Sequence, residues 1–156
     1  FQDALHLSSQ QAARQVGFAL MGAATVSLIA QGVLVQRLKW PAWRLIHIGL
    51  LALLLGSVAL AIGASAVWLF AGVGLCGLGT GLSYPGCVAA ATLTVDAEDQ
   101  GSLAGLTTSL PAIGSIVGPV LGTGLYELSS HWPYACNILI LLPLMAYAWR
   151  QSRLTR

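Results

Sequence analysis

Five long apolar stretches without a charged residue alternate with short polar segments along the chain. The stretches cover residues 16–35, 45–64, 66–95, 103–126 and 132–149. Each holds roughly the 20 residues that an α-helix needs to cross a hydrocarbon layer of about 30 Å. The pattern predicts an all-α polytopic membrane helix bundle, with transmembrane spans near residues 12–36, 43–63, 66–95, 98–127 and 131–149.

Composition supports a membrane location for these helices. Hydrophobic residues make up 56% of the chain and charged residues 8%, whereas soluble domains carry about 25% charged residues. The expected surroundings of the helices are therefore membrane lipid. The formal net charge of +2 lies in the connections, without a basic patch that alternates with aromatic residues, so no nucleic-acid partner is expected.

The distribution of basic residues predicts how the helices are oriented. Three lie between the first and second stretches and three follow the fifth: Arg37, Lys39, Arg44, Arg150, Arg153 and Arg156. The connection between the second and third stretches is uncharged, and that between the fourth and fifth has Glu127 and His131. Lys and Arg are enriched in short cytoplasmic loops. The N-terminus is therefore predicted outside and the C-terminus in the cytoplasm, with Arg14 as the exception.

Several residues mark where the helices begin and how they pack. The Ser8 to Gln11 segment contains the Ser-x-x-Gln form of a capping box, so a helix is expected to begin near Ser9. Pro41 suits the first turn of the second helix, and Asp96 can cap the fourth. Pro85 in the third span predicts a kink and a position inside a bundle, where the freed carbonyl can find a partner.

Glycines are frequent, and their simplest interpretation is close helix packing. Gly72, Gly74 and Gly77 match a dinucleotide-binding pattern, but they lie inside an apolar span without the strand that such a site needs. Pairs spaced four apart, such as Gly77 and Gly81, let helices approach closely in lipid. The spans contain no acid pair, Ser/His pair or metal-binding cluster, so no enzyme, cofactor or metal is expected.

One glycine pattern in the fourth span is more specific. Gly114, Gly118 and Gly122 are spaced four apart and form a bare helix face, and Pro119 would bend the helix at that face. The segment resembles the GxxxGPxxGG-type motif of drug/proton antiporters in the major facilitator superfamily. That family carries the motif in its fifth helix, and a degenerate copy can occur in the eleventh.

A second resemblance lies between the first two spans. The segment from Gly32 through Leu34 to Arg37 is similar to the cytoplasmic loop motif GxLxDRxGRR of the same family, in its copy between helices eight and nine. Gln36 replaces the acidic residue and Lys39 replaces a glycine. The resemblance implies that Arg37 helps to close the cytoplasmic side, without the usual acidic partner.

The resemblance implies that the spans are helices eight to twelve of a twelve-helix transporter of the tetracycline-efflux-like type. The chain would be a partial C-terminal transmembrane domain, with the missing N-terminal half as its partner, in a bacterial inner membrane. The implied activity is proton-coupled efflux of a small molecule by alternating access. Two alternatives remain at this stage: a metabolite uptake permease of the same superfamily, and a small membrane scaffold or assembly subunit.

Polar residues inside the spans are the candidates for a substrate path. They are Gln31, Tyr84, Thr108, Thr25 and Asn137. Threonine hydroxyls often bond to their own helix, and an asparagine can join two helices instead. The resemblance places helices eight, ten and eleven around the cavity, which favours Gln31, Tyr84 and Thr108 over Asn137.

Overall fold

A computed structural model describes residues 5, 7–37, 40–63 and 65–154, and within them five helices are long and apolar enough to cross a membrane. Lys39 and Arg156 lie outside the described residues. The helices, in chain order, are α1 (Ser9–Ile29, continued by a π-helical turn Ala30–Val35), α2 (Ala42–Ile62), α3 (Ala66–Thr92), α4 (Gln100–Leu128) and α5 (Trp132–Leu154). A short 3₁₀ helix, Ala97–Asp99, precedes α4.

The predicted capping box at the start of α1 is confirmed. The Ser8 hydroxyl accepts a hydrogen bond from the Gln11 N–H at 3.4 Å, and the Gln11 side chain accepts one from the Ser8 N–H at 3.2 Å. Pro41 is the N-cap of α2 and not part of its first turn. Asp96 precedes the 3₁₀ helix but its side chain caps nothing, so the predicted Asp96 cap of the fourth helix is wrong.

The last turn of α1 is wider than an α-helical turn. In the segment Ala30–Val35 the backbone bonds follow π-helical spacing, and the Gln36 N–H donates to the Gln31 carbonyl at 3.3 Å. The apolar pattern of this span does not distinguish a π turn from an α turn, so the sequence did not predict it. Such turns are rare and occur often at functional sites.

α3 lies at the centre of the bundle and packs on α2 through glycines on both helices. A Cβ added at Gly79 would lie 2.7 Å from the Gly49 carbonyl, and one added at Gly56 would lie 2.8 Å from the Gly72 carbonyl. The glycines are spaced seven residues apart in each helix, so they recur on one face after two turns. Only glycine allows the antiparallel backbones to approach this closely.

A second glycine face of α3 contacts α1. A Cβ at Gly77 would lie 2.8 Å from the Ala23 Cα, and a Cβ at Gly81 would lie 2.9 Å from the Ser27 Cα. The predicted close packing at Gly77 and Gly81 is confirmed. α3 also continues without interruption through Pro85.

Burial is concentrated around α3 and falls off toward α4. Leu82 on α3 is fully buried and clusters with Ala30 and Leu45. α5 packs against α2, whereas α4 has no buried residue. Large apolar side chains are exposed on every helix, as expected of surfaces that face lipid or further helices.

Candidate functional site

The packing of α1 on α3 places two of the predicted polar residues at the same depth. The two helices run in parallel, because Ala23 lies beside Gly77 and Ser27 lies beside Gly81. One further turn along both helices brings Gln31 to the level of Tyr84. The site described below lies at this depth.

Tyr84 joins α3 to α4 through the tyrosine hydroxyl. This group donates a hydrogen bond to the Thr107 carbonyl at 3.0 Å. In an unbroken helix that carbonyl would accept from the backbone N–H four residues later, but residue 111 is proline and has no N–H. Tyr84 therefore satisfies the carbonyl that Pro111 leaves free, which matters because an unpaired carbonyl is costly in a membrane.

A cleft of about 420 Å³ opens between α3 and α4 beside this hydrogen bond. Its walls include Tyr84, Cys87, Leu106, Thr107, Leu110 and Pro111. None of the residues that line it is charged, and most of the lining side chains are apolar. The cleft suits a small molecule with a large apolar surface and few polar groups.

The other predicted residues on α1 and α4 bond within their own helices. The Thr25 hydroxyl donates to the Met21 carbonyl at 2.8 Å, and the Thr108 hydroxyl donates to the Ala104 carbonyl at 2.7 Å. The Gln31 amide donates to the Ser27 hydroxyl at 3.2 Å. Neither Thr25 nor Thr108 is among the residues that line the cleft, and Gln31 shares its depth without lining it.

Asn137 occupies a different place in the bundle. Its side-chain amide donates to the Ser57 hydroxyl at 2.9 Å, and Ser57, which is 1% exposed, donates to the Leu53 carbonyl at 2.8 Å. Ser57 is adjacent to Gly56, which packs on Gly72. Gly72 precedes Tyr84 by twelve residues, or about 18 Å along the helix axis. The structure therefore places Asn137 at a contact between α5 and α2, away from the cleft.

The glycine motif of the fourth span faces open space. Gly114, Gly118 and Gly122 lie on α4, and a Cβ added at any of them would meet no atom of the described residues within 4 Å. Pro119 lies on the same helix and is exposed. This face is therefore free to contact something outside the described residues.

The two residues of the loop motif lie at the end of α1. Gly32 is part of the π-helical turn and also has open space around its Cα. Arg37 follows that turn and is exposed, and its N–H donates to the Val33 carbonyl at 3.1 Å. The motif therefore starts inside the helix and not in a loop.

Three contributors to the site and its surroundings were not predicted. Cys87 lines the cleft, and Ser57 is the partner of Asn137. The Thr107 carbonyl also contributes. This contribution could have been predicted from the sequence, because a proline within a helix leaves the carbonyl four residues before it without its N–H donor.

Comparison with known proteins identifies one family. A profile described as the Major Facilitator Superfamily matches residues 1–154. Searches of the curated proteins and of the solved structures give no match. The matched region includes all five helices and the cleft.

Proposed function

We propose that this chain, which belongs to the Major Facilitator Superfamily of membrane transporters, contributes to the proton-coupled export of a small amphipathic molecule. The observation that carries the proposal is the apolar cleft between α3 and α4, with the Tyr84 hydroxyl and the Gln31 side chain at its depth. An uncharged cleft of this size favours a substrate that dissolves partly in the membrane.

The proposed mechanism is alternating access by rocking of two helix bundles about a site within the membrane. The open face with Gly114, Gly118 and Gly122 on α4 would form the moving surface, because glycines without close neighbours leave room for a second bundle. The proposed occupant of this face is the other half of the same transporter. Pro119 would shape the helix at this contact, and Arg37 would help to close the cytoplasmic side.

Proton coupling requires a group that binds and releases the proton during transport. In the described residues the carboxylates of Asp96, Glu98, Asp99 and Glu127 all lie in connections or at helix ends. The proton-carrying group would therefore lie in helices that pack against this chain. The proposed location is the bacterial inner membrane, with the Arg37 end of the bundle in the cytoplasm.

The direct test is transport in everted membrane vesicles that contain the protein. An acidic interior should drive accumulation of a fluorescent amphipathic quaternary ammonium dye, whose permanent charge prevents passive trapping, and collapse of the pH gradient should abolish it. Accumulation without a gradient would contradict proton coupling. Accumulation in right-side-out vesicles alone would instead support a metabolite uptake permease. Absence of transport in both orientations, for a panel of amphipathic dyes, would favour a scaffold role.

Variants of Tyr84 test whether the cleft is the path. Tyr84→Phe removes the donor to the Thr107 carbonyl and should lower transport severalfold at unchanged protein level. Tyr147→Phe removes a hydroxyl from an exposed tyrosine of α5 and should leave transport unchanged. Equal effects of the two substitutions would contradict a specific role for the cleft.

Cys87 provides a second readout, because it is an exposed thiol in the cleft wall. In a variant with Cys87 as the only cysteine, a transported dye should slow labelling by a membrane-permeant maleimide. A variant with only Cys136, on α5 and outside the cleft, should show no such protection. Protection of both thiols would indicate a general effect of the dye on the membrane.

A further inference from the structure

A second cavity lies between the start of α2 and the end of α5. It has a volume of about 670 Å³, and its lining residues include Trp43, Arg44, His47, Trp149 and Ser152. The end of α1, the start of α2 and the end of α5 lie at one end of the bundle, which we call the basic end because Arg37, Arg44, Arg150 and Arg153 are there. No residue of this cavity lines the cleft between α3 and α4.

The cavity is positively charged and flanked by aromatic rings. The Arg44 guanidinium lies 5.0 Å from the centre of the Trp40 ring, and the Arg153 guanidinium lies 3.7 Å from that of Trp149. Within the part of the chain that the structure describes, neither arginine forms an ion pair with a carboxylate. A guanidinium held against a ring face still presents N–H donors at its edge, and these match a phosphate group.

His47 adds a polar atom that has no partner. Its Nδ1 is bonded to the Trp43 carbonyl, which can only accept, so Nδ1 carries the hydrogen. In the neutral ring Nε2 is then an acceptor, and it is enclosed without a partner among the described residues. Because this nitrogen is enclosed, His47 forms part of the cavity wall, and Arg44 is the polar group that a bound molecule can reach.

The face of α2 that carries Arg44 and His47 becomes apolar farther along the helix, toward the centre of the membrane. Arg44, His47, Leu51 and Leu55 follow one another at intervals of three or four residues and therefore share one helix face. Leu51 is 46% exposed and Leu55 is 50% exposed. A charged residue at the membrane surface followed by exposed leucines matches the order of a lipid headgroup and its acyl chain.

We propose that this cavity binds the headgroup of an anionic phospholipid. The phosphate would accept hydrogen bonds from Arg44, with Arg153 contributing positive charge nearby. Trp43 and Trp149 belong to the residue type that favours the depth of the headgroups, and basic pockets between membrane helices are suited to anionic lipids.

The test uses the purified protein in neutral detergent and measures the shift of its melting temperature on titration with lipids of identical acyl chains. Phosphatidylglycerol should raise the melting temperature at the lowest concentration. Phosphatidylcholine, whose headgroup carries no net charge, should have little effect. Inorganic phosphate should not reproduce the shift. An equal response to phosphatidylcholine, or a full response to inorganic phosphate, would overturn the proposal.

Variants locate the lipid in the cavity. Arg44→Gln should raise the half-maximal phosphatidylglycerol concentration about fivefold, the effect of roughly one basic residue at an anionic surface. Arg44 is exposed, so the fold should survive, and Arg44→Lys should retain part of the response.

Arg14→Gln is the matched control. Arg14 also lies against an aromatic ring, at 5.6 Å from the centre of Phe18, but on the first turns of α1 at the opposite end of the bundle. Its substitution should leave the titration unchanged. Equal losses in Arg14→Gln and Arg44→Gln would show that the lipid responds only to total charge and would refute a defined site.

Discussion

Single residues in this bundle matter most where two backbones touch. At Gly79 a Cβ would meet the Gly49 carbonyl at 2.7 Å and the Leu53 side chain at 2.5 Å. A backbone carbonyl cannot move without moving its helix, so the cost of an added methyl group is not relieved locally. Gly74 lies on the same helix, yet a Cβ there would meet nothing within 4 Å.

Alanine substitutions at these two positions should therefore have opposite effects. Gly79→Ala should destabilise the protein by about 1–3 kcal/mol because it overpacks the contact between α2 and α3. Gly74→Ala should be neutral or stabilising by up to about 1 kcal/mol, since alanine favours a helix more than glycine does. Unfolding of each variant in detergent measures the difference. Equal stability of the two would mean that the helices are not in contact at Gly79.

At the scale of the element, α4 differs from the other long helices. It has no buried residue. Its side-chain hydrogen bonds to α3 include one from Tyr84 to the Thr107 carbonyl and one from Gln100 to the Thr92 carbonyl at 3.1 Å.

Gly114 and Gly118 both lie on the open glycine face. Gly105 precedes Gly114 by nine residues, which is a rotation of about 180° around the helix, so Gly105 lies on the opposite side of α4. Substitutions at Gly118 and Gly105 of α4 can therefore distinguish an effect on transport from an effect on folding.

Substitution of Gly118 should impair transport without destabilising the described bundle. Gly118→Leu adds a side chain where the described residues leave open space, so the melting temperature should hold while the transport rate falls by an order of magnitude. Gly105→Leu, on the other side of α4, should change neither quantity appreciably. Normal transport by Gly118→Leu would exclude this face as the moving interface.

At the scale of the whole molecule, the helices alternate in direction, so connectivity assigns each connection to one end of the bundle. Arg37, Arg44 and Arg153 lie at the basic end together with the acidic connection of residues 96–99, and Glu127 and His131 lie at the other end. His131 also ties the bundle together at that other end, where its Nδ1 bonds to the Ala61 carbonyl at 3.1 Å. If the proposed orientation holds, the basic end faces the cytoplasm.

Labelling of single cysteines in intact cells tests this orientation. After replacement of the native cysteines, Ser130→Cys should react with a membrane-impermeant maleimide, because Ser130 is exposed at the end of the bundle opposite the basic end. Gln36→Cys, exposed at the basic end, should react only after the membrane is permeabilised. The reverse pattern would invert the orientation and, with it, the leaflet in which the proposed lipid site lies.

The sequence by itself determined the class of the protein and the order of its helices. Five uncharged apolar stretches of sufficient length dictate membrane helices, because an unsatisfied backbone is too costly in lipid for other spanning structures in such segments. The capping box formed by Ser8 and Gln11 could also be predicted from the sequence, because it depends only on residues that are neighbours along the chain. The glycine motif of α4 carried a resemblance to the major facilitator superfamily, and the family match agrees at the level of the superfamily.

Only the tertiary structure decided which polar residues meet across helices. The sequence could rank Tyr84 and Asn137 as candidates, but their partners are 23 and 80 residues away in the chain. The depth of Gln31 likewise depends on how α1 is shifted along α3. These quantities are set by close contact between glycine faces, and helix periodicity alone does not reveal which face meets which neighbour.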